Sequence, residues 1–348
     1  MRLLTMPEPG VLRRVIVKDP VAGPGQIRLR VACVGICGSD VEIFTGARPP
    51  KVVHGHPVVG HEVSGVVDQV GEGVTGVRIG DRVTCIEGWG AMADYLVTTP
   101  TNTLVLDDRI DLADGCLLEV LPGVAMAAWD TGIERGSDVL LVGQGLSGLL
   151  ISVLAGLHGC RSLTVVDPSS AKVALAGELG ATEAWVGRIQ DVAGELGDAH
   201  PRGFDLAIVA TRTCVVNDVV PLMRPRSRIV AYGGLEHEAS IDVMALHRRS
   251  VSLIKEGEMV NGIRQARARW HEAMRLITDG LVPLRRLRTH DLPMAEAEIA
   301  LRLRADPDAE AIHVVLHTDI DETGPADDDA TTYLGSSRGV PRRIRSHC

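Results

Sequence analysis

The stretch that decides the fold of this chain is Gly143-Gln144-Gly145-Leu146-Ser147-Gly148. It fits the pattern G-x-G-x-x-G, and it stands between a predicted strand, Asp138–Val142, and a predicted helix, Leu149–His158. The first glycine permits a tight turn, the second lets a pyrophosphate approach the backbone, and the third lets the helix pack on the strand. The helix N-terminus favours phosphate groups. The stretch therefore predicts a dinucleotide site contacted by Gly143, Gly145, Leu146, Ser147 and Gly148.

An acidic residue ends the next predicted strand, nineteen residues after Gly148. Asp167 could accept hydrogen bonds from both hydroxyls of the adenosine ribose, and it would repel a 2′-phosphate, so NAD is favoured over NADP. The segment Asp167-Pro168-Ser169-Ser170 is also typical of a helix start, and the two interpretations are compatible. We add Lys172, in the helix that follows, to the predicted cofactor contacts.

The chain changes its pattern near Pro122. Before that residue, short runs of alternating polar and apolar residues separated by glycines predict a β-rich region, as in Gln26–Val31, Val63–Val70 and Arg82–Cys85. After it, strands alternate with helices, which predicts a doubly wound parallel sheet. The further predicted strands are Leu163–Val166, Phe204–Val209, Arg228–Ala231 and Ala311–Leu316, and the further helices are Ala171–Leu179 and Gly262–Thr278.

The composition is that of an ordinary globular enzyme. The 348 residues include 36 Lys and Arg against 45 Asp and Glu, a net charge of −9, with 45% hydrophobic and 3% aromatic residues. The acidic balance and the scarcity of aromatic residues argue against nucleic-acid binding. No apolar run approaches the ~20 residues of a membrane span and no signal peptide is apparent, so we expect a cytoplasmic protein without a membrane partner. Seven scattered cysteines do not suggest a disulfide framework.

A second set of motifs indicates a metal. Gly35-Ile36-Cys37-Gly38-Ser39-Asp40 precedes Gly60-His61-Glu62, and thiolate and imidazole are zinc ligands. A lone cysteine is more often a small buried hydrophobe, and a lone histidine a core residue. A catalytic zinc needs three protein ligands and one open position, so the third ligand would come from Cys116-Leu117-Leu118-Glu119.

Taken together, these motifs resemble the zinc-dependent medium-chain dehydrogenases/reductases, the alcohol and polyol dehydrogenase group. The resemblance runs from about residue 10 to 317 and adds, in the family's order, Gly80-Asp81-Arg82-Val83 and Gly90-Ala91-Met92-Ala93-Asp94-Tyr95. It implies an α/β fold in which a GroES-like β-barrel catalytic domain is interrupted by a Rossmann domain. The catalytic domain would take 1–121 and 257–317, and the Rossmann domain 122–256. The polar tail, 318–348, is expected to be disordered.

The resemblance implies one catalytic zinc per subunit, held by Cys37, His61 and Glu119, and NAD as cofactor. Polyol dehydrogenases carry Glu followed by Pro at the third ligand position, where alcohol dehydrogenases carry Cys. Here Val120 replaces that Pro, and Cys116, one helical turn earlier, is the alternative ligand. Two carboxylates would support the metal: Glu62 as an exchangeable or neighbouring group, and Asp40 as the group that orients His61.

The chain departs from the family pattern at two places. The structural zinc lobe of four cysteines is absent, because Cys85 leads almost directly to Gly88-Trp89-Gly90. Glu42 stands where many alcohol dehydrogenases place a His that ends a proton relay. The relay would run through Glu42, through water, or through His54 or His56, unless Glu42 is a plain surface carboxylate. The remaining cysteines are then expected to be buried packing residues: Cys33, Cys85, Cys160 and Cys214.

The implied reaction is oxidation of a secondary hydroxyl to a ketone, with hydride transfer to NAD. Ser39 would accept a hydrogen bond from the hydroxyl and pass the proton on, unless it is a simple turn residue. The loop Thr45–His56 carries a basic, polar rim of Arg48, Lys51, His54 and His56, which favours a polyhydroxylated or acidic substrate. Phe44 and Trp89 are the aromatic candidates for lining the cleft.

The substrate expected from these features is a sugar, aminoglycoside, aminocyclitol or nucleoside, as in antibiotic biosynthesis. Alternatives are a short-chain alcohol dehydrogenase or aldehyde reductase, and a non-catalytic NAD-binding protein. The resemblance also implies a homodimer or homotetramer.

Overall fold

The chain builds two large sheets of different kinds, an antiparallel-dominated one and a parallel one. The computed structural model describes residues 1–130, 133–233, 239–255, 263–318 and 332–333. Residues 1–130 are rich in strands: β1 (Arg2–Glu8), β2 (Val11–Ile16), β3 (Ile27–Gly35), β4 (Lys51–Val53), β5 (His56–Val58), β6 (Glu62–Val70), β7 (Arg82–Cys85), β8 (Tyr95–Thr98) and β9 (Thr103–Val105). Their helices are short: α1 (Gly38–Phe44), α2 (Leu112–Gly115), α3 (Leu121–Ala125), the 3₁₀ turns Pro100–Asn102 and Cys116–Glu119, and the π-helical turn Met126–Asp130.

The parallel sheet is a Rossmann sheet, as the glycine stretch predicts. Its strands are β10 (Asp138–Val142), β11 (Ser162–Asp167), β12 (Glu183–Val186), β13 (Phe204–Val209), β14 (Met223–Ala231) and β15 (Ser252–Lys255), in the order β12-β11-β10-β13-β14-β15. The order reverses beside β10, and ligands bind at such switch points. The helices are α4 (Leu146–His158), α5 (Ser170–Glu178), α6 (Ile189–Ala199), α7 (Val216–Val219) and α8 (Val243–Arg249), with the 3₁₀ turn Val220–Leu222.

The chain then returns to the first sheet. The last elements are α9 (Ile263–Thr278), α10 (Leu284–Leu287), β16 (Arg288–Pro293), α11 (Ala297–Ala305), β17 (His313–His317) and β18 (Thr332–Tyr333), with the 3₁₀ turns Met294–Glu296 and Pro307–Ala309. β17 pairs antiparallel with β3, in a sheet of order β16-β17-β3-β6-β7-β9 with β8 also on β3. The first and last parts of the chain therefore share one sheet, and the parallel sheet lies between them in sequence. The exact boundaries at 121, 256 and 317 stay predictions.

Most of the predicted tail lies outside the described residues. Within it, β18 pairs antiparallel with Arg13 and Arg14 of β2, which a prediction of disorder did not anticipate.

The antiparallel sheet has its own hydrophobic cluster, and the parallel sheet has two, of which one also includes the residues of α3. Trp270 of α9 is the largest fully buried side chain, and its indole N–H donates to the carbonyl of Leu118. Among the described residues no single helix is long and apolar enough to cross a membrane. Two helical segments separated by a bend, Leu112–Glu119 and Leu121–Trp129, are together long and apolar enough for a membrane span by length and composition only. Their leucines pack inside the protein.

The cysteine predictions are correct in part. Cys33 and Cys85 are buried, but Cys160 and Cys214 are only partly buried. Cys160 follows the glycine that ends α4, and Cys214 lies in the loop before α7. Both cysteines are therefore near the surface.

Candidate active site

Asp40 joins the two halves of the cysteine and histidine motifs. It is fully buried at the third position of α1. Its Oδ2 accepts a hydrogen bond from the N–H of Cys37 at 2.9 Å, and its Oδ1 accepts from the N–H of Gly60 at 2.8 Å. The same Oδ1 lies 3.3 Å from Nδ1 of His61. One carboxylate therefore positions both the α1 N-terminus and the histidine at the start of β6.

Cys37, His61 and Glu62 form a group that could hold a metal ion. One ligand atom from each, Sγ, a ring nitrogen and a carboxylate oxygen, lies within 4.8 Å of the others. It is the one such group that the described ranges contain. A thiolate, an imidazole and a carboxylate are the donors that tetrahedral zinc sites use.

The protonation states of this group depend on its burial. Burial and the Glu62 carboxylate raise the pKa of the Cys37 thiol to about 11. Burial alone would lower the pKa of His61, but the neighbouring Asp40 and Cys37 outweigh it and raise that pKa well above its usual value. Coordination to a metal deprotonates a thiol outright. The donor set therefore fits a dication, and burying these groups without one costs folding free energy.

A histidine that the sequence analysis missed lies behind Glu62. His313 of β17 is fully buried, and its Nε2 lies 2.8 Å from Oε2 of Glu62. Burial would raise the pKa of Glu62, but His313 and His61 outweigh it and lower that pKa. Gly35 makes room for the pair, since a Cβ there would lie 2.4 Å from Glu62 Oε2.

The other oxygen of this carboxylate, Oε1 of Glu62, is buried without a hydrogen-bond partner among the described residues. It is available to a metal. The only sequence signal for His313 is a polar residue within a predicted apolar strand.

The two residues predicted to compete for the third ligand position lie outside this group of three. Cys116 is fully buried, its Sγ donates to the carbonyl of Ala113 at 3.1 Å, and it packs with Cys33 and Val315. Glu119 is also buried; burial, and to a smaller extent the charge of Glu119, raises the pKa of Cys85. Glu119 as third ligand stays a prediction, with Cys116 as its alternative.

Asp40 is expected to support zinc binding by orienting His61. In Asp40→Asn, the amide cannot accept all the hydrogen bonds that now converge on the carboxylate, so His61 loses its orientation. We expect zinc affinity to fall by about 10–100-fold, the usual effect of removing a carboxylate that supports a histidine ligand. Competition with a chromophoric chelator measures this loss. Asp279→Asn, at an exposed surface position, is the control, and unchanged affinity in Asp40→Asn would refute the role.

The predicted catalytic and substrate residues differ in burial. Ser39 and Glu42 lie three residues apart on α1, so they share one helical face, and both are partly buried. His56 is partly buried on β5, and His54 is exposed at a two-residue turn with φ of 52°. Phe44 is 5% exposed and packs in the β-domain core, and its place at the cleft stays a prediction.

Trp89 connects the metal-binding group to a basic rim. Its ring stacks on His61 with centroids 4.3 Å apart. The guanidinium of Arg48 and the ammonium of Lys51 lie 5.9 and 5.8 Å from the Trp89 ring centroid. Two cations therefore converge beside the group that the motifs predict to be catalytic.

The glycine stretch forms a loop that fits a dinucleotide. Gly143 has φ of +96°, and a Cβ at Gly148 would lie 1.9 Å from the carbonyl oxygen of Gly143. A Cβ at Gly145 would meet nothing within 4 Å. The first and third glycines are thus required by the protein itself, whereas the second faces open space that a ligand can occupy. α4 begins at Leu146, three residues earlier than predicted, because Gly145 is its extended N-cap.

Asp167 lies at the end of β11, where a ribose would reach it. Its Oδ2 accepts from the N–H of Gln144 at 2.6 Å and its Oδ1 from the N–H of Ser169 at 2.8 Å. These two bonds hold the carboxylate beside the glycine loop. Burial lowers the pKa of Lys172, although the charge of Asp167 opposes this effect.

Comparison with known proteins adds two family matches. Residues 23–108 match the alcohol dehydrogenase GroES-like domain, and residues 147–279 match the zinc-binding dehydrogenase family. A relative in Xanthomonas euvesicatoria pv. vesicatoria, named L-threonine 3-dehydrogenase, is 25% identical over 309 residues, which cover 80% of this chain and 88% of the relative.

Two solved structures share the fold. Galactitol-1-phosphate dehydrogenase from Escherichia coli superposes with a TM-score of 0.76 at 23% identity, covering 91% of this chain and 100% of that one. A protein titled short chain alcohol dehydrogenase, complexed with NADH, from E. coli CFT073 superposes with a TM-score of 0.77 at 23% identity, covering 91% and 99%.

Proposed function

The chain belongs to the zinc-type medium-chain dehydrogenases/reductases, and we propose that it oxidises a secondary hydroxyl of a polar ring substrate to a ketone, with NAD as hydride acceptor. The observation that carries the proposal is the group of Cys37, His61 and Glu62, whose ligand atoms lie within 4.8 Å. The same chain carries a glycine loop whose second glycine, Gly145, faces open space.

The residues present fit a zinc ion. Cys37 and His61 would hold it with a carboxylate, either the predicted Glu119 or Glu62, whose Oε1 is buried and unpartnered among the described residues. When bound, zinc supplies a Lewis acid that lowers the pKa of a coordinated hydroxyl. Asp40 holds His61 in orientation, and Trp89 covers the face of that imidazole.

Ser39 and Glu42 would move the proton. The Ser39 hydroxyl accepts a hydrogen bond from the substrate hydroxyl, and Glu42, three residues along the same face of α1, receives the proton directly or through water. His56 is the partly buried alternative to Glu42, whereas the exposed His54 belongs to the β4–β5 turn.

NAD is supported by the position of Asp167. A carboxylate held by two backbone N–H groups beside the glycine loop can accept from ribose hydroxyls, and its charge disfavours a 2′-phosphate. Leu146, Ser147 and Lys172 complete the proposed cofactor contacts.

The substrate class is proposed from the rim. Arg48 and Lys51, both beside Trp89, favour a substrate with several hydroxyls or an anionic group next to the reacting carbon. Threonine and galactitol 1-phosphate, in the names of two relatives, both combine a hydroxyl with an anionic group. Sugars and aminocyclitols of antibiotic pathways have the required ring hydroxyls.

A substrate panel tests the proposal. We expect the zinc-loaded enzyme to reduce NAD, and NADP poorly, with ring polyols, aminocyclitols, sugars or nucleosides. Arg48→Ala should raise KM for the best substrate roughly tenfold with little change in kcat, whereas Arg78→Ala, at an exposed site, should not. Preference for short alkyl alcohols would replace this substrate class by the short-chain alcohol alternative. Absence of turnover on the whole panel would favour a non-catalytic NAD-binding protein. The proposed homodimer or homotetramer is measured by light scattering on the same sample.

A further inference from the structure

A cavity lies at the edge of the parallel sheet opposite the glycine loop. The loop follows the C-terminal end of β10, whereas this cavity is formed by the turn before β10 and by the N-terminal ends of β13 and β14. Its volume is about 340 Å³. The dinucleotide and metal-binding residues described above do not line it.

Positive charge dominates the lining of the cavity. Arg224 is paired with Asp205 and with Asp138, and Arg228 lies 3.0 Å from Glu134. The lining also includes Arg135 and Arg226, which are exposed and have no acidic partner among the described residues. Four arginines against the two lining carboxylates, Glu134 and Asp205, leave an excess of two positive charges in a chain whose net charge is −9.

The backbone of β14 is distorted to form this cavity. Met223 pairs with Phe204 and Arg228 pairs with Leu206. Between these two pairs β14 therefore runs five residues, whereas β13 runs only two. Within this bulge Arg226 has φ of 65°, in the left-handed region that disfavours residues carrying a Cβ. Strained backbone of this kind persists where the surrounding structure requires it and is frequent at ligand sites.

Ser227, one of the residues that line the cavity, carries a buried hydroxyl without a partner among the described residues. Ser227 is 5% exposed, and its Oγ makes no hydrogen bond with the described part of the chain. A buried polar atom without a partner destabilises the fold. A ligand that accepts a hydrogen bond from Ser227 would relieve that cost.

We propose that this cavity is a second ligand site, which binds the phosphate group of a small phosphorylated metabolite. A phosphate monoester carries close to two negative charges at neutral pH, which match the excess charge of the lining. Arg135 and Arg226 provide guanidinium donors suited to phosphate oxygens, and Ser227 provides a hydroxyl donor. The site would bind independently of the nicotinamide cofactor, since the two lie at opposite edges of the sheet.

The test uses the zinc-loaded enzyme saturated with NADH, so that the cofactor cleft is filled. Calorimetric titrations with a hexose phosphate, inorganic phosphate and the uncharged hexose, at constant ionic strength, distinguish a phosphorylated metabolite from free phosphate. We expect the hexose phosphate to bind more tightly than inorganic phosphate, and the hexose not at all. Arg226→Gly and Arg135→Gln should each weaken binding by at least ~5-fold, while Arg78→Gln leaves it unchanged.

Ser227→Ala separates a ligand site from a structural defect. Removing an unpartnered buried hydroxyl should raise the melting temperature of the unliganded enzyme and, at the same time, weaken phosphate binding. Arg226→Gly should likewise raise that melting temperature, because glycine adopts the φ of 65° without strain. No binding to the NADH-saturated wild type, or unchanged affinity in the three variants, would overturn the proposal.

Discussion

Cys37→Ala should lower kcat by at least about 1,000-fold and leave the purified protein without stoichiometric zinc, while NADH still binds. Cys37 provides the thiolate of the proposed site, and its Sγ lies within 4.8 Å of the His61 and Glu62 donors. Two remaining donors do not complete the three protein ligands that a catalytic zinc requires. Metal analysis, steady-state kinetics and NADH fluorescence measure the three quantities on one sample.

A second cysteine provides the matched control for this experiment. Cys214 is partly buried in the loop before α7, far along the chain from the metal motifs. Cys214→Ala should therefore retain zinc and turnover. The assignment of the metal group would be wrong if zinc-free Cys37→Ala turned over at the wild-type rate. His61→Ala should reproduce the loss, because it removes another donor of the same group.

The sequence predicts the parts of this site that are local in the chain. Cys37 and Asp40 belong to one turn of α1, and His61 follows a glycine at the start of β6, so short motifs reveal them. His313 could not be predicted, because it reaches Glu62 across 251 residues through the pairing of β17 with β3. The inward direction of a side chain on that strand depends on strand register, which a single sequence does not define.

The Rossmann sheet is predictable for a different reason. Buried parallel strands are short apolar runs, and Gly143 and Gly148 are required by close contacts around the loop. The β14 bulge was missed, since its segment Arg224–Ser227 is polar and carries no glycine to indicate a left-handed residue.

In the glycine loop, Gly145 and Gly148 should respond differently to the same added methyl group. Gly145 has φ of −70° and ψ of −172°, which alanine adopts freely, and its Cβ would meet nothing within 4 Å. Gly145→Ala should therefore leave the free energy of unfolding unchanged and reduce NADH affinity by roughly tenfold or more, since the methyl group occupies the space through which a pyrophosphate approaches the backbone.

Gly148→Ala should lose both stability and cofactor binding. Its Cβ would lie 1.9 Å from the carbonyl oxygen of Gly143, so α4 must move away from β10 at a cost of about 1–3 kcal/mol or more. Gly177→Ala, at an open exposed position of α5, is the control and should stabilise by up to about 1 kcal/mol. Urea unfolding and NADH fluorescence titrations separate the two effects. Wild-type NADH affinity in Gly145→Ala would show that the pyrophosphate does not lie against this loop, whereas unchanged stability in Gly148→Ala would contradict the close contact between helix and loop.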